Sequence, residues 1–239
     1  MAESVTRLIF AVEGRTEDNF VRSSLRDHLW GFGLASSSTI VGKAKAAARG
    51  NSVRGVRGGG CFADWEKDIR NCLKDNPSRD FRLTTLFDLY GLPDDFPMRD
   101  RIASDHSQAE RCDRLQLVLA DKINDWRFIT YIQLHEFEAL VMACLPFLES
   151  LYDNYEQLNG LASLQIEVAS LQPEEINDSR DTAPSKRLLR HIPDYRKVSD
   201  GPDAIYSAGL ALVRNRCPRF DAWIKRLESL GGAKVSVQL

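Results

Sequence analysis

Three sets of acidic residues stand at the ends of short apolar runs. Glu13 follows Thr6 to Val12 (TRLIFAV), Asp88 follows Arg82 to Leu86 (RLTTL) and Phe87, and Glu136 and Glu138 follow Arg127 to Gln133 (RFITYIQ). Each run has the composition of a buried strand. If the strands are parallel, the acids gather outside their carboxyl ends, where open parallel sheets take their ligands. Carboxylates brought together repel one another, and a hard divalent cation such as Mg2+ or Mn2+ is the usual relief. The competing reading makes these ordinary helix-start acids, favoured by the helix dipole. It suits Glu17 and Asp18 well. It suits Glu13 and Asp88 less, because both abut apolar strands.

The run His135-Glu136-Phe137-Glu138 depends on its conformation. On a helix, residues two apart point about 200° apart, so the two glutamates could not serve one ion. In extended chain they share a face, and a bent junction could bring both in. The run is not the zinc-protease motif, since Ala139 breaks the spacing. A histidine in such a place is more often structural than a ligand.

Residues 42–60 differ from their surroundings, with six glycines, five basic residues (Lys43, Lys45, Arg49, Arg54, Arg57) and no acid. Such a loop could approach phosphates through its backbone and its charge; the plainer reading is a solvated surface loop. The glycines fit neither a Walker A loop nor a dinucleotide fingerprint. No GxSxG elbow supports serine hydrolysis. The five cysteines (Cys61, Cys72, Cys112, Cys144, Cys217) are widely spaced, contain no CxxC and lack an activating context, so zinc ribbons and disulfide frameworks are disfavoured.

The elements that must position these residues alternate. After the first strand and the Glu13-Gly14 turn, Thr16 is a candidate cap for a helix whose face carries Val21, Leu25, Leu29 and Phe32, with Gly33 closing it. A second strand is expected over Ser38 to Val41, then helices over Ala63 to Leu73, Gln108 to Ile123 and His135 to Cys144. Strands alternating with helices predict an α/β fold, a mainly parallel four-stranded sheet flanked by helices over residues 1–146. Residues 147–239 read as a mainly α-helical extension packed on it. Of 239 residues, 32 are Lys or Arg and 34 Asp or Glu, for a net charge of −2. That balance excludes a protein that coats nucleic acid through bulk charge. It conceals a local bias: residues 151–181 hold seven acids against one base, and residues 184–230 hold ten bases against five acids. No apolar run approaches a membrane span, and the N-terminus has no leader pattern, so a cytoplasmic protein is expected.

The stretch Val12-Glu13-Gly14-Arg15-Thr16-Glu17 after a first strand resembles the opening motif of TOPRIM domains, in the VEGxTE form of OLD-family nucleases. The chain as a whole resembles the 4276 domain-of-unknown-function family of bacteria. The stretches that carry this likeness are VEGRTEDNFV (12–21), TTLFDLYGLPDDFP (84–97), RFITYIQLHEFEAL (127–140), NDSRDTAPSKRL (177–188) and IPDYRKVSDGP (192–202). The resemblance implies a Mg2+-binding Rossmann-like fold. In it the residue matching Glu13 takes part in acid–base chemistry or metal binding, and the one matching Asp88 is a metal ligand. It also implies work beside an ATPase partner in bacterial defence against phages. One departure stands out: the usual Asp-x-Asp reads Asp88-Leu89-Tyr90 here.

The expected activity is phosphodiester hydrolysis of DNA or RNA. Asp88 with Glu136 or Glu138 would be metal ligands, Glu13 a ligand or general base, and Lys186, Arg187 and Lys197 would hold the phosphate. Two alternatives compete. One is a non-enzymatic module that binds a partner through its helical part, where Phe220, Trp223 and Leu227 could contribute contacts, although core packing is the plainer role for each. The other is an enzyme for small phosphorylated substrates. Homo-oligomers are compatible with each.

Overall fold

The computed structural model describes residues 5–42, 60–102, 107–177 and 182–231. Strand β1 (Thr6–Val12) is buried from Leu8 onward, as befits the centre of a parallel sheet. Helical chain follows at once: α1 (Arg15–Phe20), a wide π-helical turn (Val21–Leu25) and α2 (Arg26–Trp30). Gly14, and not Thr16, occupies the N-cap position. Gly31, and not Gly33, is the C-cap of this helix, and Gly33, at φ 77°, turns the chain into the next strand.

Strand β2 (Leu34–Ile40) then lies parallel to β1. It begins four residues before the predicted strand. As an edge strand it alternates only weakly between buried and exposed positions, and its central Ser36, Ser37 and Ser38 carry no strand signal. Helix α3 (Phe62–Asp75) buries Trp65, Ile69 and Leu73 and leads to β3 (Phe81–Asp88) on the other side of β1. Helix α4 (Gln108–Ile123) has the predicted bounds, and Ser107 and Glu110 form a reciprocal capping box at its start.

The predicted fourth strand is split into β4 (Phe128–Ile129) and β5 (Ile132–Gln133), both parallel to β3. A side chain fills the gap. The Tyr131 amide donates to Thr85 Oγ1 at 2.7 Å, and that hydroxyl donates to the Tyr131 carbonyl at 2.7 Å. The sheet order is β2-β1-β3-β4, with β5 continuing beside β3.

The rest of the described chain is helical: α5 (Glu138–Met142), 3-10 turns at Leu145–Leu151 and Pro173–Glu175, α6 (Tyr155–Val168), α7 (Pro184–His191), α8 (Asp200–Ala208), α9 (Leu210–Arg216) and α10 (Pro218–Glu228). Two apolar layers cover the sheet. Ile9, Ala11, Leu83 and Phe87 face α3 and α4. Leu8, Phe10, Val12 and Leu86 face a core that includes Phe20 and Leu25 and runs on to Phe220, Trp223, Ile224 and Leu227 of α10. The indole of Trp223 stacks on Tyr131 at 4.2 Å and 6°, meets Phe10 edge-on, and donates to Thr84 Oγ1 at 3.0 Å. Phe220, Trp223 and Leu227, named above as possible partner contacts, are core residues. No helix among the described residues is long and apolar enough to cross a membrane.

Candidate functional site

The chain runs from β1 to β2 on one side and later returns to β3 on the other. The loops leaving β1 and β3 therefore diverge, and the crevice between them is where open parallel sheets bind ligands. Glu13 and Asp88 sit there, on adjacent strands in register through Val12 and Leu86. The Asp88 amide donates to Glu13 Oε1 at 2.6 Å. Gly91 makes room: a Cβ at that position would come within 2.2 Å of Glu13 Oε2. Asp88 Oδ1 is buried without a hydrogen-bond partner among the described residues.

These carboxyls resist ionisation. Burial first, and then the charge of Glu17, pushes Glu13 up to about 8, against the pull of the Asp88 amide. Asp88 is held well above the ordinary carboxylate range by burial first, then by Glu13, Glu17, Glu138 and Glu136. Glu17 stands in the first turn of α1, as the helix-start reading expects, and is also buried within the same charge cluster.

Residues 135–137 are neither helix nor strand. His135 takes a left-handed conformation at φ 66°, which costs a non-glycine residue strain, and α5 starts at Glu138. This bend brings both glutamates to Lys197, whose Nζ lies 3.4 Å from Glu138 Oε1 and 3.9 Å from Glu136 Oε2. Glu136 also accepts from Ser185, through the amide at 2.7 Å and the hydroxyl at 2.9 Å. Burial raises Glu138 to about 7, Lys197 pulls it down and Glu136 pushes it up. His135 is lowered to about 4 by burial, so it is neutral at pH 7. It packs beside Tyr90 at 5.6 Å, and the Asn177 amide reaches both the Tyr90 hydroxyl and His135 Nδ1.

A cavity of about 550 Å³ opens over these groups, lined by Glu13, Asp88, Tyr90, Glu136, Lys186 and Lys197 among others. The fold thus brings together five of the residues singled out from the sequence, Glu13, Asp88, Glu136, Lys186 and Lys197, and Glu138 joins them through Lys197. Arg187 is turned elsewhere: its guanidinium pairs with Glu167 and donates to the Thr182 carbonyl at 2.9 Å, and it is 7% exposed. Lys43, Lys45, Arg49, Arg54 and Arg57 lie outside the described residues. Sequence reasoning missed Gly91, Ser185, Asn177 and Tyr90. A glycine three residues past a strand-end acid was the available signal for the first; the others are contacts across 42 to 87 positions.

Among the described residues, no group of three or more His, Cys, Asp or Glu side chains is placed to hold a metal ion by itself. Mg2+ asks for less. It commonly takes one or two carboxylates and completes its shell with water and substrate phosphate. Glu13 and Asp88, with an unpartnered buried oxygen, fit that requirement.

Solved structures similar to this chain include the C-terminal region of the OLD protein of Burkholderia pseudomallei, at 19% identity and TM-score 0.43 over 94% of this chain and 98% of the other. The C-terminal region of the OLD protein of Xanthomonas campestris pv. campestris aligns at 14% identity and TM-score 0.38, covering 92% and 96%. No curated protein matches the sequence. The model of the family described as domain of unknown function DUF4276 matches residues 12–228, nearly the whole length of the α/β core and its helical cover, and the chain belongs to that family.

Proposed function

We propose that this protein is a Mg2+- or Mn2+-dependent phosphodiester hydrolase acting on DNA or RNA. The observation that carries the proposal is the pair Glu13 and Asp88. They are two carboxyls on adjacent parallel strands at the point where strand order reverses, one of them with an unsatisfied buried oxygen, facing lysines across one cavity. Unsatisfied buried acids are costly to a fold, and sites where they persist are candidates for function.

A bound divalent cation would neutralise phosphoryl charge and acidify an attacking water. Glu13 and Asp88 would hold it. Glu13 would also stand close enough to the attacking water to take its proton. Lys186 and Lys197, which line the cavity, would bind non-bridging phosphate oxygens and orient the strand. Glu136 and Glu138 hold Lys197 in place. The likeness of the VEGRTE stretch to the opening motif of OLD-family nucleases extends the proposal to a role beside an ATPase in defence against phages.

The test is cleavage of labelled DNA and RNA by the full chain with Mg2+ or Mn2+, compared with Glu13→Gln and Asp88→Asn. Cation-dependent cleavage lost in both variants is expected. Equal cleavage by all three proteins would sink the assignment.

A further inference from the structure

The acids around the cavity divide into two sets with different partners. Glu13 and Asp88 share one hydrogen bond, from the Asp88 amide, and Asp88 Oδ1 has none among the described residues. Glu136 and Glu138 are already provided for. Ser185 donates twice to Glu136, and the Lys197 ammonium stands within 4 Å of both carboxylates. The position where a second third-strand carboxylate would stand holds Tyr90, whose hydroxyl engages Asn177.

Lys197 is not a loose surface lysine that strayed into the site. The backbone is pinned on both sides of it. The Arg196 amide donates to buried Asp200 at 3.0 Å, and the Val198 carbonyl accepts from Asn19 at 2.9 Å. An ammonium fixed between two carboxylates offsets part of their charge where a bound cation would otherwise do so, and a second ion entering there would have to displace it against like charge.

We infer that Lys197 takes the place of a second divalent cation, so that the protein binds one ion, at Glu13 and Asp88, although its carboxylate count would allow two. This deepens the hydrolase reading and rests on it. The consequence for the reaction is that charge on one side of the phosphoryl group is met by a fixed side chain, which does not vary with metal concentration.

The experiment counts Mn2+ bound to the full chain, by calorimetry and by the electron paramagnetic resonance of free ion, for the wild type, Lys197→Gln and Tyr90→Asp. One ion per wild-type chain is expected, two in Lys197→Gln, which frees Glu136 and Glu138, and still one in Tyr90→Asp, where Lys197 keeps its place. Circular dichroism checks that the variants fold, and the wild-type count decides the matter if they do not. Two ions in the wild type, or a folded Lys197→Gln that still binds one, would overturn the inference and leave cation-assisted hydrolysis standing. No bound ion in the wild type would overturn both.

Discussion

Two groups of acids in this molecule, one buried and one half-buried at the cavity, are treated in opposite ways. Asp200, with no exposed surface, accepts from the Arg196 amide and guanidinium, the Ser199 hydroxyl and the Tyr152 hydroxyl. Glu174, 4% exposed, caps α10 by accepting the Arg219 and Phe220 amides at 2.9 and 3.1 Å. Among the described residues Glu13 and Asp88 share one internal donor, and their neighbours are further acids. The satisfied acids tie the helical cover together. The unsatisfied pair leaves its charge to something outside the fold.

The largest effect that sharpens this contrast is on activity. Glu13→Gln is expected to slow cleavage by about 10²–10⁴-fold, the usual span for loss of a general base, while leaving stability unchanged or higher, because an acid that resists ionisation is gone. Steady-state rates and denaturant unfolding on one preparation check both halves. Asp200→Ala is expected to do the reverse. Removing one partner of a buried, hydrogen-bonded charge costs about 3–5 kcal/mol, visible as a lower urea midpoint.

A third effect lies in pH. Glu13 and Glu138 ionise at about 8 and about 7 in the fold against 4.5 ordinarily. The folded state therefore holds protons that the unfolded chain has released, and stability falls as pH rises through that window. His135, lowered from 6.5 to about 4, acts in the opposite sense but only below about 6.5. Between pH 6.5 and 8, in chelator, stability is expected to fall by roughly 2 kcal/mol, with a shallower fall in Glu13→Gln. A flat profile in the wild type would break the comparison. The smallest effect belongs to acids paired in solvent: Arg22→Ala, which removes the exposed pair with Asp18, should cost about 0.3–0.5 kcal/mol.

Much of the fold was legible because its signals are local. The capping residues and apolar stripe bound α4, and the uninterrupted apolar run of β1 announces a central parallel strand. Where local signals are weak, reading faltered. The serines of β2 hide an edge strand, and the break at Thr130 and Tyr131 is held by a hydroxyl from a strand some 46 residues away. In the site, the strand-end position of Glu13 and Asp88 was readable. The partners that distinguish them from Glu136 and Glu138 were not. Ser185 meets Glu136 across 49 residues, and Lys197 reaches both glutamates because His135 adopts a backbone conformation that its residue type does not announce.

The central claim is that Glu13 and Asp88 await a cation, and thermal unfolding with and without Mn2+ at pH 7.5 tests it most directly. At a hundredfold excess over its dissociation constant, a ligand of the folded state stabilises by about 2.7 kcal/mol, or roughly 5–10 °C in a chain of this size. A rise of that order in the wild type and none in Asp88→Asn is expected. No rise in the wild type, or an equal rise in both proteins, would contradict the claim.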